Sequence, residues 1–137
     1  MTKEDLKGYI ETKREIKIIE EKIDYLTSKK TSIKSQVITD MPKGASKNND
    51  ILIDLLGELE DITEIYNKKY IKLIQHQKEI EEVINNIDNP TYRNIMRFRY
   101  IDGYTWEKIC VKMNYSWRQI HRLHGKILEE NNLGGFK

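Results

Sequence analysis

Two long stretches of this chain place residues at alternating steps of three and four along an apolar seam, and a segment bearing proline and glycine separates them. In residues 3–37 the seam reads Tyr9, Thr12, Ile16, Ile19, Ile23, Leu26, Lys30, Ile33 and Val37, with Thr12 and Lys30 as polar interruptions. In residues 51–87 it reads Leu52, Leu55, Leu59, Ile62, Tyr66, Lys69, Leu73, His76, Ile80, Val83 and Ile87, widened by Ile51, Ile65, Ile74 and Ile84 beside it. This spacing lays one stripe along a long helix; no strand-like alternation with a period of two occurs. Between the seams, ITDMPKGASKNND reads as a break. Pro42 disfavours helix in the residue before it, Gly44 permits a turn, and residues 46–50 read as loop, with Asn49 or Asp50 capping the next helix. The prediction is an antiparallel helical hairpin with arms of roughly 35 residues, each about 50 Å long at the α-helical rise.

Only 38% of the 137 residues are hydrophobic and 34% are charged, which favours narrow seams over a wide core. Even so, two helices alone cannot cover every isoleucine. Either a second hairpin covers them, giving a homodimer, or the C-terminal region packs back on the first. Lys30, Lys69 and His76 at seam positions would then help to fix register or partner choice. No apolar run approaches the roughly 18 residues that span a bilayer, so no membrane partner is expected. The N-terminus lacks the apolar core of a secretory signal. The lone Cys110 excludes an internal disulfide framework, fits a reducing cytoplasm, and reads as a small buried apolar residue.

Asp88, Asn89 and Pro90 end the second arm and mark a domain boundary, giving a hairpin over 1–89 and a head over 90–137. The two parts differ in charge. Residues 1–90 hold 15 Lys and Arg against 18 Asp and Glu, whereas residues 91–137 hold nine against four, a net of +5 that points to a polyanion. Three short helices are predicted in the head. The first covers 92–100; after a turn at Asp102 and Gly103, Thr105 caps WEKICVKM, and after Asn114 and Tyr115, Ser116 caps WRQIHRLHGKILEE. Two capped helices joined by a tight turn are the helix-turn-helix layout. The predicted fold is therefore all-α: a long, coiled-coil-like antiparallel hairpin followed by a three-helix head, with the tail NNLGGFK frayed.

The last helix carries the candidate site. Ile120, Leu123, Ile127 and Leu128 define its buried stripe, which leaves Trp117, Arg118, Gln119, His121, Arg122 and Lys126 on the remaining surface. Arg118 and Gln119 lie in the first turn, where a recognition helix meets base edges; Arg pairs bidentately with guanine and Gln with adenine. Arg122 follows four residues later, and Lys126 continues the row towards the phosphates. Thr105, Lys108 and Arg99 complete the set of candidate DNA contacts. Trp117 is open between stacking on the core and touching DNA, whereas Trp106 reads as packing. His121 and His124 are spaced for a metal on a helix, but no third ligand is evident and no metal or cofactor is expected. The adjacent pairs Glu20-Glu21 and Glu81-Glu82 point to different helix sides and read as solvated faces. With no Gly-rich phosphate loop and no nucleophile–base set, an enzyme is not expected.

The stretch RFRYIDGYTWEKICVKMNYSWRQIHRLHGKIL resembles region 4 of bacterial sigma factors. Arg97-Phe98-Arg99-Tyr100, Gly103, residues 105–109 and residues 116–120 match that region's R-x-R-aromatic helix, glycine turn, T-x-E-x-I helix and serine-capped recognition helix. Lys108 stands where the family has a second acid, and Trp117-Arg118-Gln119 departs from its usual recognition residues. A sigma-type promoter element is therefore not implied, nor, without a region 2, a complete sigma factor. The chain as a whole resembles small phage and prophage proteins of Gram-positive bacteria, relatives of late-gene transcription regulators of the ArpU and RinA kinds. That resemblance implies activation of phage gene expression by promoter-proximal, sequence-specific binding of double-stranded DNA in the host cytoplasm at the nucleoid, with RNA polymerase a candidate second partner. Two other readings stay open. One is a terminase small subunit for DNA packaging, although such proteins usually place the DNA-binding domain first. The other is a module that binds polymerase or sigma without reading DNA.

Overall fold

A computed structural model describes residues 1–39 and 42–134, and their side chains except within 36–46. Among the described residues it contains no strand and five helices: α1 Lys3–Thr39, α2 Pro42–Asn85, α3 Pro90–Tyr100, α4 Trp106–Met113 and α5 Trp117–Glu130. The chain packs as two compact units. One comprises Arg14–Ile71; the other joins Met1–Lys13 to Lys72–Lys137.

The first of these units is a two-helix antiparallel hairpin. Partners on α2 descend as those on α1 rise: Glu15 pairs with Lys69 at 3.1 Å, Glu20 accepts from the Tyr66 hydroxyl at 2.9 Å, and Lys22 approaches Glu58 at 4.0 Å. Between the helices Leu26, Leu55 and Ile62 are buried, with Ile19, Ile23, Ile33 and Leu59 packed around them. Every described seam position predicted in both arms is buried or half-buried. Lys69 leaves the seam to reach Glu15, so a polar interruption secures the register by a cross-helix bond. The flanking isoleucines behave differently: Ile51, Ile65 and Ile74 are exposed, and Ile84 is buried.

The predicted loop over 46–50 is instead helical, because α2 starts at Pro42. Proline's fixed φ and missing N–H suit the first helical position, where no intrahelical bond is needed, so Pro42 starts the helix. Ser46, Asn48 and Asn49 cost the helix only tenths of a kcal/mol each. Asp40 and Met41, the centre of the predicted break, lie outside the described residues.

In the second unit, α3, α4 and α5 share their core with the ends of the long helices. Ile95, Met96, Tyr100, Ile109, Ile120 and Ile127 are buried together with Leu6, Tyr9, Ile80, Ile84 and Ile87. Ile84 is thus buried within the unit to which the C-terminal region belongs. Cross-links hold the pieces: Lys3 N–H donates to the Leu133 carbonyl at 2.7 Å, Lys13 Nζ to the Ile101 carbonyl at 3.0 Å, and Arg97 pairs with Glu81. His76 meets the Tyr9 ring edge-on. The beginning of the tail is not frayed: Leu133 is buried and its N–H closes on the Leu128 carbonyl. Residues 135–137 lie outside the described set.

Candidate nucleic-acid interface

Local chemistry sets each helix of the head. Asn89 caps α3, its side-chain oxygen accepting from the Thr91 and Tyr92 amides, and Pro90 occupies the first helical position. The turn into α4 needs Gly103. Its φ is +71°, and a Cβ there would lie 3.3 Å from Ile10 Cδ1. Thr105 caps α4 by accepting from the Lys108 amide. Asn114, at φ 57° and ψ 43°, ends the helix in the left-handed region that asparagine tolerates. Ser116 then caps α5 through a reciprocal capping box: its hydroxyl accepts from the Gln119 amide, and Gln119 Oε1 accepts from the Ser116 amide at 3.0 Å.

This geometry redistributes the sequence-predicted residues. Arg118 and Arg122 stand exposed on one face of the first two turns of α5. Lys126 extends the row and lies 3.9 Å from Glu130. Gln119 is exposed, but its oxygen serves the cap, so the two-atom amide pairing with adenine is not preformed. His121 is half-buried beside two indoles, its ring centroid 4.2 Å from Trp117 and 4.9 Å from Trp106, and its Nε2 is buried without a hydrogen-bond partner among the described residues. Trp117 therefore rests on His121 while about half of it stays exposed. Arg99 lies 4.5 Å over the Trp106 ring and donates to the Tyr104 carbonyl, acting as an internal strut. Thr105 is engaged as a cap.

Lys108 sits 3.9 Å over the Tyr104 ring, which stacks on Phe98, and Lys112 approaches the same two rings. The sequence reading did not include Lys112. The four-residue step from Lys108 to Lys112, which puts both on one face of α4, was the signal for it. The inner face of α5 also differs from expectation. His124 is buried and Leu123 only half-buried, while Cys110 on α4 is partly exposed. Burial holds His124 well below the ordinary histidine value, to about 4, and pushes the Tyr100 hydroxyl up to about 12.

The arrangement offers a positive, half-aromatic surface at the start of a capped helix, which can hold an anion and reach planar acceptors. No curated protein and no solved structure matches the chain. The profile of a family described as proteins of unknown function, DUF1492, matches residues 25–131. That match takes in the last part of α1, the whole of α2 and the whole α3–α5 arrangement, so the chain belongs to the DUF1492 family.

Proposed function

We propose that this protein is a sequence-specific double-stranded DNA-binding transcription regulator of phage or prophage type, with α4 and α5 as its helix-turn-helix and α5 as the reading helix. The supporting observation concerns the five arginines of the head. Arg93 donates to the Ile87 and Asp88 carbonyls, Arg97 binds Glu81 and Asn85, and Arg99 binds the Tyr104 carbonyl. Arg118 and Arg122 are exposed and make no side-chain hydrogen bond or ion pair with the described residues. Arg118 also lies at the positive end of the α5 dipole, in a first turn without an acid, where a cation costs about 0.3–1 kcal/mol. A phosphate or a guanine edge would offset that cost. Lys108, Lys112 and Lys126 add phosphate-seeking charge nearby. The resemblance of residues 97–128 to sigma region 4 adds the transcriptional role, and the ArpU- and RinA-like pattern adds the phage setting.

The test is fluorescence anisotropy on a duplex enriched by genome-wide footprinting, against a scrambled duplex, over a salt series. Arg118→Ala and Arg122→Ala should each weaken the selected duplex by roughly 10- to 100-fold while helical content stays intact. Unchanged binding by both variants would sink the reading. Capture of RNA polymerase without retardation of any DNA at low salt would replace it with a polymerase-binding module.

A further inference from the structure

The hairpin unit leaves more apolar surface uncovered than two helices can hide between them. On α2, Ile53 is 65% exposed, Ile71 57%, Leu56 44% and Tyr70 42%. Residues 53, 56, 57, 60, 63, 64, 67, 70 and 71 follow one another at helical steps and form one stripe outside the seam, with Tyr70 at its edge, stacked on Tyr66. That face is apolar at both ends and polar at its middle, where Glu60, Thr63, Glu64 and Asn67 lie.

The pattern is self-complementary when reversed about its midpoint between Thr63 and Glu64. Leu56 then stands opposite Ile71, and Gly57 opposite Tyr70. A methyl group built on Gly57 would meet nothing within 4 Å, so the face has an open notch there. Charge along α2 reverses about nearly the same point. Residues 50–64 hold six acids and no base, whereas residues 65–78 hold four lysines and no acid. A helix so polarised repels a parallel copy in register and attracts an antiparallel one.

We propose that this face binds a second copy of the chain, antiparallel and across a two-fold axis near Thr63 and Glu64. Leu56 packs on Ile71 of the second copy, Gly57 receives its Tyr70, and the acidic half of each α2 lies along the lysine half of the other. A two-fold interface uses one patch twice, and this patch has the required internal reversal. The inference stands independently of any nucleic acid.

Sedimentation equilibrium of the full chain tests it. The wild type should show twice the chain mass at micromolar concentration. Gly57→Phe fills the notch at a site with no neighbour in the monomer, so it should keep its helicity yet raise the dimer dissociation constant by about tenfold or more. Glu60→Lys with Glu64→Lys, and separately Lys68→Glu with Lys72→Glu, should each give monomers, and mixing the two should restore the double mass. Both doubles lose the intrahelical Glu64–Lys68 pair, so recovery on mixing reports the contact between copies. A wild type that stays monomeric, a ring of higher mass, or a dimer indifferent to Gly57→Phe and to both charge variants would each overturn the proposal.

Discussion

The Tyr100 hydroxyl lies 2.6 Å from His124 Nε2 inside the head, with both residues buried. With the Tyr100 hydroxyl pushed up to about 12 and His124 held down to about 4, both groups are uncharged near neutral pH and share one hydrogen bond, whose direction follows the His124 tautomer. Trp106 closes one side of the pair, its ring 4.6 Å from His124. The bond joins the end of α3 to the middle of α5.

This pair makes the head acid-sensitive. His124 titrates at about 4 when folded and near 6.5 when unfolded, so between those values the unfolded chain binds more protons. Its contribution is complete above pH 6.5 and is lost as the pH falls towards 4, up to about 3 kcal/mol. Denaturant midpoints at pH 7 and pH 4.5 should differ more in the wild type than in a Tyr100→Phe, His124→Phe double variant. Equal differences would show that His124 does not carry the effect.

Leu6 is fully buried in the unit that holds α3–α5, although it lies near the other end of the sequence. Leu6→Ala should cost about 2–5 kcal/mol and lower the melting temperature of the head. Residues 90–137 expressed alone should lack the dispersed amide spectrum of a folded domain, since Leu6, Tyr9, Ile80 and Ile84 are missing from the core. A well-dispersed fragment would contradict the shared core.

Gly103→Ala should destabilise by about 1–2 kcal/mol from the positive φ alone, with a further cost from Ile10. Ile10→Val removes the Cδ1 atom at 3.3 Å and should recover part of that loss, visible as coupling in a double-mutant cycle. Strict additivity would place the whole penalty in the backbone.

Gln119 and Arg118 should separate by assay. Gln119→Ala breaks half of the capping box and should cost about 0.5–1 kcal/mol of stability, with a smaller change in DNA affinity than Arg118→Ala. Arg118→Ala should leave stability unchanged or slightly raised, because it removes a cation from a helix N-terminus. The opposite ranking in paired melting and anisotropy measurements would make Gln119 the reader.

What was legible in the sequence was what depends on near neighbours. The seam positions of both arms, the caps at Thr105 and Ser116, and the turn at Gly103 follow from residues within a few places of each other. The start of α2 differs from the predicted one because Pro42 at the first helical position starts a helix, which outweighs the breaking tendency of Gly44 and of the Ser and Asn residues after it. Gln119 was read for its amide chemistry although Ser116-x-x-Gln119 is itself a capping pattern. Arg99 could not be recognised as a strut, because its partner is the ring of Trp106 across a turn. His124 was hidden for a similar reason: a polar residue in an apolar stripe makes sense only once Tyr100 is known to face it.

The bond from Lys3 to the Leu133 carbonyl has a consequence for the order of folding. The unit it closes is discontinuous in sequence, with residues 14–71 inserted between its two pieces. During synthesis residues 1–13 wait for residues 72–133 to emerge before their partners exist. The inserted hairpin is contiguous, and the Glu15–Lys69 pair brings its own ends together. Formed first, it spares the later step a loop-closure entropy on the order of 3–4 kcal/mol. The long helices would then act as an internal template, delivering the two halves of the head to each other.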